Sequence, residues 1–153
     1  MKIAIVSGYF NPLHVGHLDY MESARGLSHK LFAIVNNDYQ VSLKGSTPFM
    51  NEANRVRIIS ALKCVDSVYL SRDRDGSVLE TLKQILVYNQ GSGRNSFIFC
   101  NGGNRVSMNT LEERFCAKNS YELTSVYNVG GEKWQSSSTL ITKAAMKDGA
   151  GEI

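Results

Sequence analysis

The chain has 153 residues, 42% hydrophobic and 20% charged, with 17 basic against 14 acidic side chains and a formal net charge of +3. This composition is close to that of an average folded soluble domain and excludes a disordered or fibrous chain, while the slight positive bias is too small to coat a nucleic acid and suits small anions. The length fits one domain over 1–153; no apolar run nears the roughly 18 residues of a spanning helix and Ile3 to Val6 is too short for a leader, so no membrane partner and a cytoplasmic address are expected.

Lys2 to Ser7 is a short β-branched apolar run closed by Gly8, which predicts a buried strand. A turn follows, and from His14 to Leu27 the apolar positions Val15, Leu18, Met21 and Ala24 recur at three-residue spacing, which predicts a helix ended by Gly26 and Ser28. Leu31 to Val35 is a second buried strand, so the first 36 residues form a βαβ unit and argue for a parallel sheet. Asn36 to Met50 is polar and without periodicity, with Gly45 and Pro48, and is read as a long loop of a length that usually carries function. Asn51 starts a helix whose apolar face is Val56, Ile59, Ala61, Leu62 and Val65.

Ser67 to Leu70 is a third strand, Val78 to Tyr88 an amphipathic helix, Gln90 to Asn95 a turn cluster and Phe97 to Cys100 a fourth strand. Gly91-Ser92-Gly93 precedes a strand instead of following one and is too weak for a nucleotide loop. Thr110 to Lys118 is helical, Glu122 to Val126 is strand five, Val129 to Gln135 a loop, and Ser136 to Lys147 a closing helix capped by serines, with Asp148 to Ile153 frayed. The alternation predicts an α/β fold: a single Rossmann-like domain with a doubly wound, parallel five-stranded sheet and helices on both faces. Cys64, Cys100 and Cys116 are an odd number without metal-ligand spacing and are read as reduced thiols, mostly buried; no residue is assigned as a metal ligand.

In a doubly wound sheet ligands collect at the carboxyl ends of the strands, near the switch point. The first such end is Gly8-Tyr9-Phe10-Asn11-Pro12-Leu13-His14-Val15-Gly16-His17, where a strand enters a helix N-terminus through a glycine- and proline-containing turn. The i, i+3 spacing of His14 and His17 puts both imidazoles on one helical face, and Gly16 between them removes a side chain that would crowd a phosphate. Two imidazole donors beside free N–H groups and a helix dipole suit a negatively charged transition state. A histidine that caps the helix and another that packs in the core is the plainer alternative.

The stretch Gly8 to His17 resembles the G-x-F-[DN]-x-x-H-x-G-H signature of the cytidylyltransferase-like nucleotidyltransferases. The similarity extends to Leu43-Lys44-Gly45, to Arg55 with Ala61-Leu62 and Val65-Asp66 behind it, to Asn101-Gly102-Gly103-Asn104-Arg105, and to Gln135-Ser136-Ser137-Ser138-Thr139. It implies transfer of a nucleoside monophosphate from a nucleoside triphosphate to a phosphomonoester by in-line attack, with release of pyrophosphate and no covalent enzyme intermediate. His14, His17 and Lys44 are then the catalytic residues, the histidines as donors to the α- and β-phosphates and Lys44 as a mobile ammonium closing over them.

Gly8, Tyr9, Phe10, Asn11 and Gly16 form the nucleotide-binding turn, with Phe10 packed beneath it. The resemblance selects Arg55 for the site and leaves Arg57 to solvent. Asn101 to Arg105 begins where strand four ends, and Gly102-Gly103 would let the backbone approach a base or ribose. Asn104 stands where many relatives have Asp, and Asn11 replaces the commoner Asp of the first motif. Ser136, Ser137, Ser138 and Thr139 offer hydroxyls and backbone N–H groups to the β- and γ-phosphates, with Lys133 and Gly130-Gly131 as a second approach.

Magnesium is implied as the partner of a triphosphate, held mainly by phosphate and water because no carboxylate cage is visible; Asp19, Glu22 and Asp38 are read as surface charges. The implied partners are a nucleoside triphosphate and a sugar or polyol phosphate, without nucleic acid, and relatives often form homodimers. CMP transfer is slightly favoured by the small size and the serine motif, and AMP transfer is the alternative because Leu43-Lys44-Gly45 followed by the Arg55 to Asp66 helix resembles the heptose-phosphate adenylyltransferases at least as well. A nucleotide-binding module that has lost turnover is the reading from a different class, kept open by Asn104.

Overall fold

The computed structural model describes residues 1–102, 111–118 and 122–130. In chain order the elements are β1 (Lys2–Gly8), α1 (Val15–Gly26), β2 (Lys30–Val35), α2 (Asp38–Leu43), α3 (Glu52–Ser60), β3 (Ser67–Leu70), α4 (Leu79–Asn89), a 3-10 turn (Gly91–Gly93), β4 (Ser96–Gly102), α5 (Leu111–Lys118) and β5 (Leu123–Val129). The strands form one five-stranded sheet in the order β3-β2-β1-β4-β5, and every pairing is parallel. The chain lays β2 and β3 on one side of β1 and β4 and β5 on the other, so the direction of winding reverses between β1 and β4.

The continuous apolar runs of β1, β2 and β4 are explained by cover on both faces. Because side chains alternate along a strand, Ile3, Ile5, Phe32, Ile34, Phe97 and Phe99 meet Leu82, Ile85 and Leu86 of α4 and Cys116 of α5 on one face. Ala4, Val6, Ala33, Val35 and Ile98 meet Met21 and Ala24 of α1 and Ile59 of α3 on the other. Helices therefore lie on both faces, as the alternation of elements predicts. Cys100 and Cys116 are buried and Cys64 half-buried, all three as free thiols, and burial pushes the Cys100 thiol up to about 12. Among the described residues no helix is long and apolar enough to cross a membrane.

Four expectations are corrected. The segment 36–50 is not one loop: α2 forms because Asn37 and Gln40 make a reciprocal capping box, the Asn37 side chain accepting from Gln40 N and the Gln40 side chain accepting from Asn37 N. The first helix begins at Val15, with His14 outside it in an extended conformation at φ −142° and ψ 175°. Helix α3 stops at Ser60, and Leu62 and Val65 keep their place in the core through tight turns in which Leu62 N donates to Ile59 O and Val65 N to Leu62 O, which is why apolar periodicity runs past the helix. Strand β5 reaches Val129 because a bulge between Cys100 and Gly102 lets Gly102 pair with Val129. The predicted closing helix 136–147 lies outside the described residues.

Candidate active site

Strand β1 ends at the switch point in Gly8. A Cβ there would lie 2.8 Å from Cζ of Phe10, so only glycine lets the Phe10 ring fold back beneath the strand end. Phe10 has φ 50° and is buried, and its ring meets His17 edge-on at 5.0 Å between centroids. Asn11 does not face outward toward a ligand. It is 7% exposed, its Nδ2 donates to Thr47 O at 3.2 Å, and its Oδ1 accepts from Phe49 N at 2.6 Å and Met50 N at 3.3 Å. The side chain thus ties the 47–50 segment to the first motif, and the donation to Thr47 O requires an amide where a carboxylate has no proton to offer.

The two histidines are placed by the helix start. His14 is the N-cap of α1, its Nδ1 accepting from Gly16 N at 3.1 Å, while Nδ1 of His17 accepts from His14 N at 3.2 Å. The pair forms a capping box from imidazoles, and the rings stack with centroids 3.8 Å apart at 23°. They converge by this reciprocal bonding and not, as the spacing suggests, by sharing a helical face. With Nδ1 accepting in both rings, the neutral imidazole carries its proton on Nε2. Each ring therefore carries its Nε2–H beside the positive end of a 12-residue helix, and that of His14 is buried.

Lys44 caps the carboxyl end of α2, is exposed, and holds its Nζ 3.9 Å above the centre of the Tyr9 ring, a cation–π contact that keeps the ammonium at the mouth of the first motif. Arg55 corrects the expectation of direct nucleotide contact. Its side chain is 0% exposed; Nε donates to Met50 O at 2.9 Å, Nη1 to Tyr9 O at 2.8 Å and Asn36 O at 2.6 Å, and Nη2 to Asp38 Oδ1 at 2.6 Å. Four of the five guanidinium protons are consumed in joining the ends of β1 and β2 to the start of α3. Asp38 is likewise not a free surface charge, whereas Asp19, Glu22 and Arg57 are exposed.

At the end of β4, Asn101 is 6% exposed and its Nδ2 donates to Val126 O at 3.1 Å, so its amide faces β5. The space left by Gly102 is filled by the protein itself: a Cβ there would lie 2.8 Å from Cδ1 of Tyr20. Tyr20 Oη donates to Cys100 O at 2.6 Å. Tyr20 thereby locks α1, and with it the histidines, against the end of β4. Gly103, Asn104, Arg105, Gly131, Lys133, Ser136, Ser137, Ser138 and Thr139 lie outside the described residues.

A cleft of about 260 Å³ opens at the end of β1, lined by Ser7, Gly8, Tyr9, Asn36, Gly76, Val78, Phe99 and Glu112. Burial, and secondarily the Glu112 carboxylate, push the Tyr9 phenol up. Among the described residues no group of three or more His, Cys, Asp or Glu side chains could hold a metal ion. Tyr20, Gln40 and Glu112 were not singled out from sequence. The Asn37-x-x-Gln40 spacing is a readable cap signal, but nothing local marks Tyr20 or Glu112, whose partners lie 80 and 34 residues away.

A helix N-terminus carrying two imidazoles at the switch point of a parallel sheet defines the class, and the chain belongs to the cytidylyltransferase-like family, whose model matches residues 5–117. By that membership it is an enzyme of the nucleotidyltransferase class. The chain is 42% identical over 84 residues to the bifunctional protein HldE of Citrifermentans bemidjiense, a match covering 53% of this chain and 17% of that one. It is 39% identical over 90 residues to the FAD synthase of Methanopyrus kandleri, covering 56% and 60%. The match therefore spans under a fifth of HldE and under two thirds of the FAD synthase. In fold it is similar to the lipopolysaccharide core biosynthesis protein of Thermoplasma volcanium, with a TM-score of 0.64 and 23% identity over 84% of this chain and 96% of that one.

Proposed function

We propose that the chain transfers a nucleoside monophosphate from a nucleoside triphosphate to a sugar or polyol phosphate. A phosphate oxygen of the acceptor forms a bond to the α-phosphorus while the bond from that phosphorus to the bridging oxygen breaks; the electron pair leaves with pyrophosphate. Neither a proton nor a covalent enzyme intermediate is required, so catalysis consists of alignment and charge stabilisation. The observation that carries the reading is the capping pair at the N-terminus of α1, where Nδ1 acceptance from Gly16 N and His14 N sets the Nε2–H groups of His14 and His17 side by side at the positive end of the helix.

In this reading His14 and His17 donate to the α- and β-phosphates, and Lys44 leaves the Tyr9 ring to pair with the triphosphate. Gly8, Tyr9 and Gly16 shape the turn, Phe10, Asn11 and Arg55 hold it in place, and Asn101 to Arg105 and Ser136 to Thr139 complete the nucleotide site. Magnesium enters as the counter-ion of the triphosphate, since the described residues offer no cage of their own. One cytoplasmic domain, acting as a monomer or homodimer, suffices for this chemistry. CMP transfer is the expectation from sequence; AMP transfer is the second reading, favoured by the match to a FAD synthase, whose product carries adenylate.

The first test is thermal stabilisation by ATP, CTP, GTP and UTP in turn with magnesium, followed by pyrophosphate release with the preferred one. A ligand at about 100 times its Kd stabilises by roughly 2.7 kcal/mol. A shift with CTP or ATP decides the nucleotide; stabilisation without pyrophosphate release identifies a binding module, and no shift with any of the four sinks the assignment. Lys44→Ala is expected to raise the KM for the triphosphate about tenfold, the scale of one charge-assisted hydrogen bond, with little change in kcat. An unchanged saturation curve returns Lys44 to the surface.

A further inference from the structure

The cleft beside β1 opens on the α4–α5 face of the sheet, whereas α1 and Phe10 pack on the opposite face. The end of β1 therefore separates the cleft from the histidines by the thickness of one strand. Val78 and Phe99 give the lining of the cleft an apolar part and Ser7, Tyr9 and Asn36 a polar one, the Asn36 amide donating to Gln40 Oε1, and among the described residues lining it Glu112 holds the one formal charge. Arg55 is not among the lining residues; its guanidinium donates to the carbonyl oxygens of Tyr9, Asn36 and Met50 and pairs with Asp38. Glu112 is held in place, its Oε1 accepting from Val78 N at 2.8 Å, and it lines the same cleft as Tyr9.

An apolar lining with a serine, a tyrosine and one carboxylate suits a small molecule rich in hydroxyl donors. A second anion placed there would face a like charge in a partly desolvated cleft whose described lining holds no cation. At about 260 Å³ the cleft also falls below the roughly 300–1,000 Å³ that houses drug-sized ligands, which suits a sugar or polyol and not a fused ring system. With the triphosphate at the start of α1, an acceptor whose phosphate meets the α-phosphorus extends its other end across β1 into this cleft.

We infer that Glu112 is a specificity-determining residue that admits the uncharged, hydroxylated end of the acceptor phosphomonoester and rejects acceptors carrying a second anion at that end. The inference rests on the transfer reaction proposed above. Its test uses two matched pairs of acceptors that differ only by CH2OH against COO⁻: glycerol 3-phosphate with 3-phosphoglycerate, and glucose 1-phosphate with glucuronic acid 1-phosphate. Pyrophosphate release is measured for the unmodified protein and for Glu112→Gln, which keeps an Oε1 acceptor for Val78 N and removes the charge.

The unmodified protein is expected to use the hydroxymethyl member of at least one pair with a kcat/KM about tenfold or more above its carboxylate partner. Glu112→Gln should reduce that ratio about tenfold, mainly through the acceptor KM, with the KM for the triphosphate within about twofold of the original. Equal use of both members by the unmodified protein overturns the inference without any variant. An unchanged ratio in Glu112→Gln overturns it, as does a raised triphosphate KM with unchanged acceptor selectivity, which would give the cleft to the base. Failure to release pyrophosphate with either pair and any of the four triphosphates sinks the transfer reaction and the inference together, whereas release with an unchanged ratio sinks the inference alone.

Discussion

His17→Ala is expected to lower turnover by about 10²-fold or more at saturating substrates, the cost of removing one preorganised donor to a developing oxyanion. His17 is the cleaner of the two histidines for this experiment. Its ring contributes the acceptor for His14 N at 3.2 Å and an edge contact to Phe10, but α1 keeps its N-cap when it is removed. His14→Ala should show a comparable fall in kcat together with a loss of about 1 kcal/mol in stability, because it also deletes the acceptor for Gly16 N. Pyrophosphate release under single-turnover conditions, paired with urea denaturation of each variant, separates the two contributions. Near-normal turnover in both variants would return the histidines to a purely structural capping role.

Arg55→Ala is expected to cost about 3–5 kcal/mol of folding stability, a large part of the total for a domain of this size and roughly 10 °C in Tm. The side chain is 0% exposed and its removal strands three backbone carbonyls, those of Tyr9, Asn36 and Met50, along with the Asp38 carboxylate. Unsatisfied acceptors are costly in proportion to their burial, and Asn36 is itself 3% exposed. Arg55→Lys retains the charge but cannot span the same set of acceptors and should fall between the two. The measurement is the urea midpoint at constant m-value. A variant with the original midpoint and a raised triphosphate KM would restore the direct nucleotide contact that the sequence resemblance implies.

The contrast between His17 and Arg55 shows where local pattern is informative. His14 and His17 are three residues apart, and their mutual geometry is settled within one helical turn, so their convergence is visible in the sequence even though the capping mechanism is not. Arg55 also carries a family match, yet its partners lie 46, 19, 17 and 5 residues away. Whether a guanidinium at that position meets ligand or backbone depends on how three loops pack, which spacing does not encode. Gly102 makes the same point: a missing Cβ marks a close approach, but the sequence does not say that the approaching group is the Tyr20 ring.

By itself the sequence determined the alternation of strands and helices, the parallel sheet, the strand end that carries the two histidines, and the family. These follow from periodicity, from strand burial on both faces and from a motif confined to ten residues, all of which are local properties of the chain. Only the tertiary structure decided that Asn11, Arg55 and Asn101 turn inward to hold the turn, the loops and β5, that Tyr20 fills the space at Gly102, and that Glu112 and Tyr9 line one cleft. The physical reason is that a polar side chain goes wherever buried donors and acceptors need a partner, and those partners are brought together by packing between elements distant in sequence.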